Sequence, residues 1–173
     1  HDGMPVTPAD VIFSFNVLRE KGRPFYRFYY GNVESVEATG ERDVTFRFAG
    51  GENRELPLII GQLSVMPAHY WKDRDFTKTT LEPPLGSGPY RITKFEAGRY
   101  TIVERVEDYW GHHVAVNVGI DNFDKMRTDY YRDRTVVREA VKAGDIDFFQ
   151  ENTAKSWAQD YNTDAIRDGL LIK

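Results

Sequence analysis

The sequence has 173 residues, of which 40% are hydrophobic, 14% aromatic and 29% charged. This composition is typical of a folded, soluble protein and excludes a disordered chain, which could not carry so many rings and branched aliphatic side chains. The net charge of -4 gives no electrostatic reason to bind a phosphate backbone, so nucleic acid is not an expected partner. The absence of cysteine excludes disulfides, thiolate metal sites and cysteine nucleophiles.

The first half of the chain predicts a helix and then a hairpin. Thr7 suits an N-cap and Asp10 stands at the capping-box position, ahead of apolar residues at helical spacing. Residues 33–50 alternate as two strands around a turn near Gly40. Residues 55–71 are compatible with a short buried helix and with irregular packed chain.

The last third predicts a strand, a helix and a second strand. Residues 120–131 look extended, Asp133 and Gly144 bound a helix, and residues 145–152 have a strand pattern. Because a helical crossover of this length normally returns the chain to the same sheet edge, the two strands are expected to be parallel. Two short helices are predicted after this unit, and the final LLIK at 170–173 is predicted to enter another strand.

The segment PPLGSGPYRI at 83–92 raises the question of a phosphate-binding loop. Such a loop needs free backbone N–H groups and a following helix, but Pro89 has no N–H and the next residues alternate as a strand does. Gly98 stands where a hairpin would turn. The segment is therefore predicted to be a turn that leads into a hairpin.

No catalytic constellation is evident from the residues. His112 and His113 are adjacent, so their side chains point in different directions and an exposed loop pair is favoured over a metal site. Asp145 and Asp147 share one strand face and could form an acid and base pair, but they follow a helix end, where acids are common. No metal or cofactor is expected.

Aromatic residues are concentrated in two segments. FYRFYYGN at 25–32 holds five rings in eight residues, and TDYYRD at 128–133 holds a tyrosine pair. Neighbouring rings cannot all enter one core, so some face solvent, an interface or a ligand. A core rim with one or two exposed tyrosines and a ligand-binding surface both remain open.

The order of three segments resembles the extracellular solute-binding proteins of family 5, the receptors of dipeptide and oligopeptide ABC importers. The segments are TPADVIFSFNVL, GSGPYRITKFEAGRYTIVERVEDYWG and REAVKAGDIDFFQEN. The resemblance implies an α/β chain with α+β character, a mixed sheet with flanking helices, and part of one lobe of a type II periplasmic binding protein fold. Residues 1–173 would be a single compact, internal part of the first lobe of a larger two-lobed protein, with a helix and hairpin region at 1–82 and the sheet with its strand, helix and strand unit at 83–173.

The resemblance also implies a function and a set of site residues. The full-length protein would carry a signal peptide, act outside the cytoplasm in the periplasm or extracellular space, bind oligopeptides or peptide-like solutes without catalysis, and deliver them to an ABC permease. A fragment that lacks one wall of the cleft is expected to bind weakly and to self-associate. Eight residues are predicted to contribute ring walls and neutral hydrogen bonds: Tyr29, Tyr30, Ser87, Gly88, Tyr130, Tyr131, Gln150 and Asn152.

Two other functions remain as alternatives. One is a hydrolase that uses Asp145 and Asp147, which requires the two carboxylates to lie in a cleft rather than on an exposed turn. The other is a carbohydrate-binding or interaction module, for which the position of Tyr29 and Tyr30 in a pocket or on a flat face is decisive.

Overall fold

The computed structural model describes residues 1–50, 53–169 and 172. It divides into two compact units. The first comprises His1–Thr93 and Val103–Lys125, and the second comprises Lys94–Ile102 and the chain from Met126 onward. These boundaries differ from the predicted division after residue 82.

The first unit begins with helices that pack on a two-stranded hairpin. Its elements are, in chain order, α1 (Pro8–Lys21), α2 (Pro24–Tyr30), β1 (Val33–Ala38), β2 (Val44–Phe48), α3 (Leu56–Ile60) and α4 (Ala68–Trp71). The region from 55 to 71, which the sequence left open, thus contains two short helices.

Helix α1 begins where the capping pattern predicts. The Thr7 N–H and the Thr7 hydroxyl both donate to Oδ2 of Asp10, each over 2.7 Å. These bonds satisfy a backbone donor at the start of the helix and place a negative charge near its positive end. The predicted helix start is therefore confirmed.

The core of the first unit lies between these helices and one face of the hairpin. Strand β1 pairs with β2 in antiparallel register, with Val36 opposite Phe46, which confirms the predicted hairpin. Phe46 meets Phe15 of α1 edge to face at 5.6 Å between ring centroids. The buried side chains of this core are Phe15, Leu18, Tyr30, Val33, Leu56 and Ile60.

A three-stranded sheet follows, with its strands in the order β3–β4–β5. The unit boundaries given above fall within this sheet. Its strands are β3 (Tyr90–Glu96), β4 (Tyr100–Arg105) and β5 (Lys125–Asp129). Gly98 has φ of 73°, a left-handed conformation that glycine adopts without strain, and it turns β3 into β4 as predicted. Backbone bonds from Arg105 N to Asp124 O and from Tyr130 N to Arg99 O show that β5 runs antiparallel to β4.

The second unit is built around one amphipathic helix. Helix α5 (Arg134–Ala143) starts where Oδ1 of Asp133 accepts the Thr135 N–H over 2.6 Å, and it ends at Gly144, whose φ is 80°. Both ends agree with the prediction. Helices α6 (Ala154–Gln159) and α7 (Asp164–Arg167) follow, as predicted. The buried apolar residues of this unit are Val137, Val141 and Tyr161.

The predicted parallel pair of strands is wrong. Residues 145–150 form no strand in the described part of the chain, although they carry a strand-like pattern. A strand needs a ladder partner as well as a suitable pattern, and no described segment pairs with these residues. The strand predicted at 170–173 lies outside the described residues apart from Ile172, which is in no helix or strand.

Candidate functional site

The tyrosine pair of α2 is divided between core and surface. The Tyr30 side chain is 2% exposed, and its ring stacks on Phe15 at 5.2 Å between centroids. Burial raises the pKa of Tyr30, with a smaller contribution from Tyr26. Tyr30 is therefore a core residue here, and its predicted role as an exposed ring wall is not supported, because its position on the helix turns it inward. Tyr29 is half-buried.

Two exposed phenylalanine rings lie beside the ring of Tyr29. Its ring centroid lies 4.6 Å from that of Phe25 and 5.2 Å from that of Phe28. Phe25 is 54% exposed and Phe28 is 76% exposed. This aromatic surface, composed of Phe25, Phe28 and Tyr29, can contact apolar groups or the faces of sugar rings.

The turn at Ser87 and Gly88 is held by side chains from distant segments. The Trp110 indole N–H donates to the Ser87 carbonyl over 2.9 Å, and the His1 ring nitrogen Nε2 lies 2.8 Å from the Gly88 carbonyl. A Cβ added at Gly88 would meet nothing within 4 Å, so the space beside this backbone is open. The turn leads directly into strand β3, as predicted, and not into a helix.

A small cavity adjoins the turn within the first unit. It has a volume of about 70 Å³ and is lined by residues 1–2, 4–6, 65–67, 69 and 85–87, together with Asp10. Ligand pockets usually measure roughly 300–1,000 Å³, so this cavity holds a few water molecules or one small group and not a peptide. It is at most a subsite.

Two carboxylates beside this cavity are held in the charged form. The pKa of Asp2 is lowered, mainly by its hydrogen bond with His69 at 2.8 Å and also by the Met4 N–H. Burial alone would raise the pKa of Asp10. Hydrogen bonds from the Ala68 N–H and from the hydroxyl and N–H of Thr7 outweigh burial, so that pKa is also lowered.

The second tyrosine pair lies on the surface of the second unit. Tyr130 is 52% exposed and Tyr131 is 39% exposed. The Tyr130 hydroxyl is 2.9 Å from the Thr101 hydroxyl, which fixes the direction of its ring. Nearby, the Arg127 guanidinium lies 4.5 Å from the centroid of the Tyr100 ring and forms a bidentate pair with Asp129. This surface offers rings and hydroxyl groups.

Gln150 and Asn152 are both exposed, and the residue between them is not. The Glu151 side chain is 1% exposed and accepts a bond from Nε of Arg138 over 2.9 Å. This arginine, followed by the Thr153 N–H, lowers the pKa of Glu151 to about 2 despite its burial. The carboxylate is therefore charged at neutral pH.

Within each unit, the described residues bring together only those members of the predicted set that are sequence neighbours. In the described residues of the first unit, no hydrogen bond, ion pair or ring contact joins Tyr29 or Tyr30 to the Ser87 turn. In those of the second unit, none joins the 130–131 tyrosine pair to residues 150–152.

The histidine and aspartate pairs that were considered as metal ligands or catalytic groups lie on the surface. His112 and His113 are exposed, and no group of three or more potential metal ligands occurs among the residues that the structure describes. Asp145 and Asp147 are exposed after the end of α5. This is the turn position that the sequence favoured over a catalytic pair.

Sequence reasoning missed two residues that organise these surfaces. Trp110 was part of the DYWG segment that carried the resemblance, and its 73% exposed ring was not assigned a role. Its neighbour Gly111 is buried, and a Cβ there would lie 2.6 Å from the Tyr109 ring. Glu151 lies between two amide side chains, and an acid in that position carries no signal of burial in the sequence.

Comparison with known proteins assigns the chain to a family. The sequence profile described as "Bacterial extracellular solute-binding proteins, family 5 Middle" matches residues 1–170. The chain belongs to this family. None of the helices in the described ranges has the length and apolar character that a membrane span requires.

Curated relatives match nearly the whole chain. The "Probable peptide-binding protein YejA" of Agrobacterium fabrum (strain C58) is 42% identical over 99% of this chain, which covers 29% of that protein. The "Peptidoglycan-binding protein YepA" of the same organism is 41% identical over 99% of the chain, again covering 29% of the relative. The chain thus spans less than a third of the length of these curated relatives.

A solved structure has a similar fold. The putative peptide binding protein AppA from Clostridium difficile superposes with a TM-score of 0.76 at 21% identity, over 95% of this chain and 34% of that one. The predicted fold class is confirmed: the chain combines helices with antiparallel sheets and forms part of a type II periplasmic binding protein fold.

Proposed function

We propose that the full-length protein is the substrate-binding component of an ABC importer and that it captures oligopeptides or peptide-like solutes outside the cytoplasm. The observation that carries this proposal is the 42% identity, over 99% of the chain, to a relative described as a probable peptide-binding protein. Delivery to a membrane permease, a periplasmic location and a signal peptide on the full-length protein are parts of the same proposal.

The exposed groups of the chain support a peptide ligand. An extended peptide presents alternating N–H and C=O groups, which neutral amides and hydroxyls bind without the desolvation penalty of a charge. Gln150 and Asn152 offer amides, and Tyr130 and Tyr131 offer hydroxyls beside apolar ring faces. Together with Tyr29, Ser87 and Gly88, they remain the proposed ligand-binding residues.

A peptidoglycan fragment is a second candidate ligand. It is favoured by the relative described as a peptidoglycan-binding protein, which is 41% identical over 99% of the chain. Such a fragment carries a short peptide on a sugar, so the amides and the aromatic surface could both contribute to its binding. The hydrolase alternative is not favoured, since Asp145 and Asp147 are exposed.

Calorimetry on the full-length protein tests this proposal. Peptides retained from a tryptic digest of casein would be identified, synthesised and titrated, in parallel with soluble peptidoglycan fragments. We expect saturable binding of at least one class, and weaker binding by a Gln150→Ala/Asn152→Ala variant. A control variant, Asn16→Ala/Gln159→Ala, removes two exposed amides of the same types and should bind as the wild type does. Failure of the wild type to bind either class would contradict the proposal.

A further inference from the structure

Residues 148–152 alternate between surface and interior. Phe148, Gln150 and Asn152 are exposed, whereas Phe149 packs against the core of the second unit and the Glu151 side chain is 1% exposed. Alternation of this kind is expected of extended chain, in which neighbouring side chains point to opposite sides. The inward side chains therefore decide where the outward ones point.

Both oxygens of the Glu151 carboxylate have partners. Oε2 accepts from Nε of Arg138 over 2.9 Å and from the Tyr161 hydroxyl over 3.3 Å. Oε1 accepts the Thr153 N–H over 2.8 Å, and Nη1 of Arg134 lies 3.8 Å away. A buried carboxylate is tolerated only when it is paired in this way.

Two of these partners, Arg138 and Tyr161, belong to helix α5 and to the core of the unit. Arg138 is on α5, one residue after the buried Val137, and its own side chain is only 14% exposed. Tyr161 is itself 4% exposed and lies in the core with Val137. Residues 148–152 have no strand partner among the described residues. The carboxylate thus connects this segment to helix α5 and to the Tyr161 ring in the core.

We propose that Glu151 is a positioning residue that holds Gln150 and Asn152 with their amides directed outward for binding the backbone of a peptide-like ligand. This inference rests on the proposed function. Glu151 touches no ligand itself. It reduces the entropy that the two amides would lose on binding, because the segment is already ordered.

The test uses the full-length protein and a Glu151→Gln variant, which keeps the shape of the side chain and removes its charge. Titration with the synthetic peptide retained from the casein digest should show about tenfold weaker binding, because an ordered segment becomes looser. Hydrogen exchange at the Thr153 N–H should be faster in the variant without any ligand. Glu139→Gln, on the exposed side of α5, is the matched control and should change neither measurement.

A double-mutant cycle separates positioning from general destabilisation. If Glu151 acts through its neighbours, Glu151→Gln should have no further effect on affinity in the Gln150→Ala/Asn152→Ala background. An equal loss of affinity in both backgrounds, or unchanged affinity in the single variant, would overturn the inference. Should Glu151→Gln fail to fold, Tyr161→Phe removes only the 3.3 Å bond and should weaken binding in the same direction. Unchanged affinity in that variant would equally overturn the inference.

The exchange measurement distinguishes the two proposals. Wild-type protein that binds neither peptides nor peptidoglycan fragments but shows slow exchange at Thr153, lost in Glu151→Gln, would contradict the proposed function and leave the ordering role intact. Wild-type protein that binds peptide, with exchange at Thr153 equal in both forms, would support the function and contradict the positioning role.

Discussion

Ser14→Ala removes a buried polar connection between α1 and the segment that leads into α4. The Ser14 side chain is fully buried, at 0% exposure. Its hydroxyl donates to the Asp10 carbonyl over 2.6 Å and accepts the Met66 N–H over 2.7 Å. Alanine retains the helix and leaves the Met66 N–H without its partner.

The size of the effect follows from these contacts. A buried donor left without an acceptor costs about 1–3 kcal/mol. Alanine recovers roughly 0.5 kcal/mol because it favours a helix more than serine does. We therefore expect Ser14→Ala to lower the free energy of unfolding by about 0.5–2.5 kcal/mol.

Ser35→Ala is the matched comparison. The Ser35 hydroxyl is also buried, but it has no hydrogen-bond partner among the described residues, so its removal should change the free energy of unfolding by less than about 0.5 kcal/mol. Urea denaturation of the full-length protein measures both free energies, and hydrogen exchange reports on the Met66 N–H directly. Equal losses in the two variants, or unchanged exchange at Met66 in Ser14→Ala, would refute the reasoning.

Three further predictions concern the second unit and the isolated chain. Gly144→Ala should lower the free energy of unfolding by about 1–2 kcal/mol, measured by urea denaturation, because φ at this position is 80° and a Cβ is strained there. The folded pKa of Glu151, about 2, lies below its ordinary value of 4.5, so its contribution to stability is complete above pH 4.5 and is lost as the pH falls towards 2. Unfolding free energies measured across this range should therefore decline less steeply for Glu151→Gln than for wild type, and an identical decline would contradict the assignment. Calorimetry should show that the isolated 173-residue chain binds peptides far more weakly than the full-length protein, because one binding wall retains only part of the contacts; equal affinities would contradict this.

The sequence by itself determined the features that depend on near neighbours. The start of α1 at Thr7, both ends of α5 and the turn at Gly98 rest on local hydrogen bonds or on the φ of one glycine. Such features need no distant partner, so a pattern of a few residues predicts them. The segments that carry the family resemblance are also local patterns of neighbouring residues.

The tertiary structure decided which way side chains and strands face. Tyr29 and Tyr30 are equivalent in the sequence, and only packing on Phe15 buries the second of them. Residues 145–150 have the pattern of a strand, yet no described segment pairs with them. Glu151 is buried because Arg138 and Tyr161 reach it from other parts of the chain. Burial and pairing depend on contacts between residues distant in sequence, and a local pattern does not encode them.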